Sequence, residues 1–189
     1  MSDQLPLTVL LTADQIRDRV RELAADINTS YPAGRDLHLV SVLKGSFIFL
    51  ADLVRALGRP VTIDFMVLSS YRDETRSSGR VTVVTDLEIG IRGRDVLIVE
   101  DIVDTGQTLA WLLANFRARQ PRSLRTVSLL DKRSRRTAEV AIEHVGFSIE
   151  DRFVVGYGLD YAQQFRQLPY IAVLDPRGQA TRRDQPSSE

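Results

Sequence analysis

The chain contains no cysteine, which excludes a disulfide framework and any thiolate metal site, and is compatible with an intracellular location. No apolar run approaches the roughly 18 residues that a membrane-spanning helix needs. Met1-Ser2-Asp3-Gln4 lacks the basic region that opens a signal peptide. Acids and bases balance at 25 each, and a formal charge of +0 argues against nucleic acid as the main partner. Two nucleotide-binding strings are also missing: the Gly-x-x-x-x-Gly-Lys-Ser/Thr of a Walker loop and the Gly-x-Gly-x-x-Gly of a dinucleotide site. Lysine is scarce. Of the 25 basic residues only Lys44 and Lys132 are lysines, and both follow apolar runs. A chain so biased toward arginine keeps lysine where a compact point donor matters, because the planar guanidinium is a poor substitute there.

What is present fits an ordinary globular protein: 43% hydrophobic and 26% charged residues over 189 positions. We read one domain over 1–176, followed by a tail, 177–189, of disordered composition. Thr12-Ala13-Asp14-Gln15 is a capping-box pattern, and Ile16, Val20, Leu23 and Ile27 then share one helical face. Strands are expected at 38–43, 62–69, 81–85, 125–130, 153–155 and 170–174, with a weak one near Val140. A helix carrying Phe47, Leu50, Val54 and Leu57 inward ends at Gly58. The polar stretch Tyr71 to Arg80 reads as a long hairpin-like connection. Strand-helix alternation predicts an α/β core around a mainly parallel sheet.

The most informative stretch is Val96-Leu-Ile-Val-Glu-Asp-Ile-Val-Asp-Thr-Gly-Gln-Thr-Leu109. Val96 to Val99 has the continuous apolar character of a strand buried on both faces. We place Glu100 and Asp101 in an acidic turn at its carboxyl end, followed by Asp104 and a small hydroxyl-rich loop. Leu109, Leu112, Leu113 and Phe116 then mark one face of a helix. Free N–H groups around Thr105 to Thr108, with Gly106 allowing close approach, suit a phosphate. Glu100 and Asp101 can only accept hydrogen bonds, so they suit vicinal ribose hydroxyls. A ribose 5-phosphate meets both requirements. Leu43-Lys44-Gly45-Ser46 offers a second anion site: an ammonium, an open backbone and a hydroxyl at a helix start.

Val99-Glu-Asp-Ile-Val-Asp-Thr-Gly106 resembles the phosphoribosyl-pyrophosphate (PRPP) signature of the type I phosphoribosyltransferases, in the form found in hypoxanthine-guanine phosphoribosyltransferases. Gln107 stands where many members carry lysine. Phe153-Val-Val-Gly-Tyr-Gly-Leu-Asp160-Tyr161 with Gln164-Phe165-Arg166 carries the same resemblance, which spans residues 43 to 166. It implies the type I phosphoribosyltransferase fold, a mainly parallel twisted sheet flanked by helices with a small hood formed by the N- and C-terminal segments.

The resemblance also implies roles. Glu100, Asp101, Ile102, Val103, Asp104, Thr105, Gly106, Gln107 and Thr108 would bind the ribose phosphate of PRPP. Lys44, Gly45 and Arg166 would meet pyrophosphate, with a non-proline cis peptide before Lys44. Lys132, Phe153, Val154 and Asp160 would contact the purine, Phe153 by stacking and Val154 through its backbone. A lysine ammonium has no acceptor, so Lys132 favours a 6-oxo base over a 6-amino one. Ser70 and Tyr71 would belong to a loop that closes over the reacting centre.

Several carboxylates around a polyanion call for a hard cation. Mg²⁺ is the natural one, held by Glu100, Asp101 or Asp160 together with water and substrate oxygens. The activity implied is transfer of the 5-phosphoribosyl group from PRPP to N9 of hypoxanthine or guanine, with Asp104 as general base at N7. His38 and His144 lie outside every motif. The resemblance further implies a cytoplasmic homodimer or homotetramer with small-molecule substrates and no membrane partner. A rival reading is a regulator that binds PRPP or nucleotide and grips nucleic acid through Arg133, Arg135 and Arg136, whose default reading is a solvated face. An enzyme for uracil, adenine or orotate is a nearer rival, disfavoured by Lys132.

Overall fold

The computed structural model describes residues 6–32, 34–70 and 81–175. Ser70 closes a strand there, while Tyr71, the rest of the expected closing loop and the tail after 176 lie outside the described residues. The chain begins with β1 (Leu7–Leu11), α1 (Ala13–Ser30), β2 (Leu37–Leu43), α2 (Phe47–Leu57) and β3 (Val61–Ser70). It continues through β4 (Val81–Thr85), β5 (Asp95–Val103), α3 (Gln107–Ala118) and β6 (Ser123–Asp131). A short 3₁₀ turn, Arg133–Arg135, precedes β7 (His144–Ser148), β8 (Val154–Val155) and β9 (Ile171–Leu174).

The main sheet has the order β4-β3-β2-β5-β6-β7, parallel except for the antiparallel β3–β4 pair. Side chains alternate between its faces, and each face has its own core. Leu37 and Leu39 of β2 with Leu97 and Val99 of β5 pack under α1 and α2. Val40, Val96 and Ile98 point the other way, against Leu109, Leu112 and Phe116 of α3. The first helix starts as expected: the Gln15 N–H donates to Thr12 Oγ1 at 3.3 Å, and the Thr12 N–H donates to Gln15 Oε1 at 2.9 Å. A second sheet, β1-β9-β8, joins the two ends of the chain antiparallel and forms the hood.

Three expectations need correction, and one strand was not expected. Strand β5 runs on to Val103, so Glu100 and Asp101 are strand residues and the turn begins at Asp104. Pairing with β6 continues that far, with Glu100 opposite Ser128 and Val103 opposite Asp131. Helix α2 buries Phe49, Leu50, Leu53 and Leu57, leaving Phe47 exposed and Val54 half-buried. Its sequence is apolar almost all round, so periodicity did not single out one face. No strand forms at Val140; the seventh is centred on Gly146, whose close approach to the Leu129 carbonyl leaves no room for a Cβ. Strand β1 went unread because its five residues show no clean alternation.

Candidate active site

The order of the central strands decides where a ligand can sit. From β2 the chain steps outward to β3 and β4, then crosses back to lay β5 on the other side of β2. The connections leaving the carboxyl ends of β2 and β5 therefore diverge, and the crevice between them is the ligand site of open α/β sheets. Lys44-Gly45-Ser46 leaves β2 there and Asp104-Thr105-Gly106 leaves β5. Both expected loops are in place.

The phosphate half is well formed. Glu100, Ile102 to Gly106, Thr108 and Leu109 line a cavity of about 210 Å³ at the start of α3. Gly106 caps α3 with φ +82°. A Cβ there would stand 2.9 Å from Arg136 Nη1 and 3.0 Å from the Ala138 carbonyl, so conformation and space both demand glycine. The Thr105 carbonyl accepts from the N–H groups of Thr137 and Ala138. Gln107, in place of the common lysine, donates from Nε2 to Thr137 Oγ1 at 3.3 Å. Larger cavities lie between α1 and α2 and beside residues 136–145. Neither takes in the acidic strand end, and chemistry rather than size identifies the site.

Strand alternation separates the two acids. Glu100 is buried toward the phosphate cavity, whereas Asp101 lies against Gly45 on the opposite face. A Cβ on Gly45 would fall 1.6 Å from Asp101 Oδ2. The Leu43–Lys44 peptide is cis, as the resemblance implied. Lys44 is exposed. The Ser46 hydroxyl is not available to an anion: it is buried and bonded to Ser41 and to the Val42 carbonyl. Behind this loop, Gly158 sits so close to Gly45 that a Cβ on it would be 2.1 Å from the Gly45 carbonyl oxygen. Arg166 binds the Gly158 carbonyl at 2.7 Å and Asp160 at 2.7 Å, so both reach the Gly45 side.

Burial pushes the Glu100 carboxyl well above its ordinary range, and Asp101 adds to the shift. Asp101 is pushed up to about 6 by burial, against backbone hydrogen bonds and Arg166, with Asp160 raising it further. Among the described residues no cluster of three or more His, Cys, Asp or Glu side chains is placed to hold a metal ion. The three expected metal acids thus do not converge, since Glu100 and Asp101 leave the strand on opposite faces. Acids that desolvation holds reluctant to ionise, next to Asp160, still fit a hard cation that takes one or two carboxylates and fills its remaining positions with water and substrate oxygens.

On the side read as the purine's, Lys132 follows the end of β6 and is buried, and its backbone N–H donates to the Val103 carbonyl at 3.0 Å. Phe153 is 45% exposed and meets Tyr161 edge-on at 5.7 Å, leaving ring surface open for a base. Tyr161, part of the motif but given no role there, supports the Phe153 ring through this edge-on contact. The arginine cluster is not simply a solvated face. Arg136 pairs with the buried Asp131 at 2.6 Å, and Arg135 pairs with Asp104 at 3.0 Å and Asp151 at 3.2 Å. Acids already hold these charges, which removes the support for nucleic-acid binding.

A switch-point site with an acidic strand end, a Thr-Gly phosphate cradle and a separate β hood defines a phosphoribosyltransferase of the type I fold. The phosphoribosyl transferase domain family matches residues 8–162, and the chain belongs to it. It is 53% identical over 175 residues to a hypoxanthine-guanine phosphoribosyltransferase of Mycobacterium avium, covering 90% of this chain and 86% of that one. The same-named protein of Bacillus subtilis is 46% identical over 168 residues, covering 89% and 93%. A Bacillus anthracis hypoxanthine-guanine phosphoribosyltransferase crystal structure superposes with TM-score 0.86 at 41% identity, over 91% of this chain and 100% of that one.

Proposed function

We infer that the chain is a purine salvage enzyme that transfers the 5-phosphoribosyl group of PRPP to N9 of hypoxanthine or guanine, releasing pyrophosphate and forming IMP or GMP. The observation that carries this reading is the joining of two half-sites at the switch point. A phosphate cradle lies at the start of α3. Lys132 bonds through its backbone N–H to the carbonyl of Val103, which lines that cavity, and its ammonium pairs with Asp151, two positions before the exposed ring of Phe153.

Backbone N–H groups of 105–108 hold the 5-phosphate, as a helix N-terminus favours. Glu100 and Asp101 accept from the ribose hydroxyls. Lys44, Gly45 and Arg166 receive the pyrophosphate. Phe153 stacks on the base, the Val154 backbone meets its edge, and Lys132 donates to the 6-oxo group. As the bond to pyrophosphate lengthens, the ribose acquires positive charge, and the nearby carboxylates stabilise it more than they stabilise the ground state. Asp104 removes the N7 proton, which makes the purine a better nucleophile. Asp101 and Asp160 would hold Mg²⁺, with water and substrate oxygens filling its other positions, and when bound it offsets the charge of the departing pyrophosphate.

No helix among the described residues is long and apolar enough to cross a membrane. We place the enzyme in the cytoplasm, because PRPP is too highly charged to cross a bilayer unaided. Phe47, Ile63 and Phe65 are each at least 40% exposed, and such apolar surface supports a homo-oligomer. The test is a panel of bases assayed with PRPP, with and without Mg²⁺. Turnover of hypoxanthine or guanine that depends on the cation is expected. Turnover of only adenine, uracil or orotate would overturn the assignment.

A further inference from the structure

Three segments that supply the purine pocket are joined by one chain of alternating charges. Lys132 Nζ lies 3.6 Å from Asp151 Oδ1. Asp151 Oδ2 accepts from Arg135 Nη1 at 3.2 Å, and Arg135 Nε donates to Asp104 Oδ1 at 3.0 Å. The order is ammonium, carboxylate, guanidinium, carboxylate. Its two ends are the proposed base-recognition cation and the proposed general base. Asp151 lies two positions before Phe153, so the chain also reaches the segment that carries the stacking ring. We propose that Asp151 and Arg135 are positioning residues for the purine, fixing Lys132 and Asp104 relative to one another. This rests on the function proposed above.

The chemistry of the four groups supports that division of labour. A lysine has three donors on a flexible stem and no preferred direction. Among the described residues, Asp151 is the one carboxylate within 4.0 Å of the Lys132 ammonium. That ion pair, at 3.6 Å, draws the stem toward Asp151 by charge and leaves the ammonium's donors for the 6-oxo group. Arginine is suited to the bridge because its planar fork presents Nε and Nη donors at fixed angles to two different acids. It engages one oxygen of Asp104, and the second remains an acceptor for the purine proton. The backbone beside Lys132 and just before Asp151 is also fastened to the sheet. Lys132 N–H donates to the Val103 carbonyl, and Ile149 N–H donates to the Asp131 carbonyl, each at 3.0 Å.

The Arg135 arm of the brace is not there for stability. The side chains of Asp151, Arg135 and Asp104 are 49%, 46% and 43% exposed. Exposed ion pairs of this kind contribute little to folding. Loss of Arg135 should therefore appear in kinetics for the base rather than in melting temperature or in kinetics for PRPP. Loss of Asp151 also takes the partner charge from Lys132, whose side chain is 9% exposed, so its base kinetics are read beside its melting curve.

The experiment compares wild type, Asp151→Asn, Arg135→Gln and the double variant, with purine and PRPP each varied in steady state and melting curves alongside. For Asp151→Asn the KM for hypoxanthine should rise about tenfold, the preference for hypoxanthine over adenine should narrow, and the KM for PRPP should stay within about twofold. Arg135→Gln should lower kcat several-fold at unchanged melting temperature. The double variant should be no worse than the more impaired single variant, because both break one chain. Equal rises in both KM values, strictly additive losses, or wild-type kinetics in either single variant would overturn the brace. If wild type itself fails to use hypoxanthine or guanine, it is the parent assignment that falls.

Discussion

At the scale of single residues, Asp104 and Gly45 carry different kinds of necessity. Asp104, which lines the cavity at the start of α3, serves the chemistry in the proposed site, as the general base. Asp104→Asn keeps the shape and removes the proton acceptor, so turnover should fall by on the order of 10²–10⁴ while PRPP binding is retained. Steady-state rates with calorimetric PRPP titration check both halves, and an unchanged kcat would remove Asp104 from the role of base. Gly45 is placed for space. A Cβ would overlap the Asp101 carboxylate at 1.6 Å, and the displaced group is a ribose and cation ligand in the proposed site. Gly45→Ala should destabilise the fold by about 1–3 kcal/mol and should raise the KM for PRPP more than that for purine. A variant with wild-type stability and both KM values unchanged would show that the loop can yield.

At the scale of elements, the segment behind the phosphate loop is where charge and packing meet. Arg136 is 19% exposed and Asp131 3%, and they pair at 2.6 Å, while Arg136 Nη1 fills the space a Gly106 side chain would need. Arg136→Met leaves a buried carboxylate with only the largely exposed Arg133 near it, at 3.4 Å. That should cost about 3 kcal/mol in denaturant melts. Adding Asp131→Leu should restore most of the loss, since a well-packed apolar pair replaces a buried ionic one at little penalty. A single variant as stable as wild type would contradict this. The pair also shows what sequence could and could not reveal. Motifs that follow strands, such as Asp104 to Thr108 and Lys44-Gly45, were legible because chain order and residue chemistry coincide in them. The burial of Asp131 and the bridging by Arg135 were not, because they depend on a register between β6 and the 133–140 segment that charge counting cannot see. The same holds for Glu100 and Asp101, placed in a turn because acids are rare in strands, and for the opposite faces they take once β5 runs to Val103.

At the scale of the whole molecule, the site opposes the fold and should reveal this through pH. Glu100 and Asp101 have carboxyl groups raised above their ordinary values by burial. A group raised on folding binds its proton more tightly in the native state, so its contribution is full below the unfolded value and is lost as pH rises through the folded one. For Asp101 that window runs from the ordinary 3.8 to about 6, and Glu100 extends it upward. His38 and His144 act in the other direction, lowered by burial with Nε2 buried and unpartnered, so they favour the fold above about 6.5 and oppose it below. The two effects overlap, and a bare melting curve would mix them. Glu100→Gln separates them, since it changes the acid contribution and leaves the histidines alone. Variant and wild type should melt together near pH 4, where Glu100 is protonated. The variant should gain steadily as pH rises to 8 without ligand. Mg²⁺ with PRPP binds the ionised acids, so its stabilisation of wild type should grow over the same range and exceed that of the variant. A melting-temperature difference that stays flat from pH 4 to 8 would mean that burial of Glu100 opposes the fold no more when charged than when neutral.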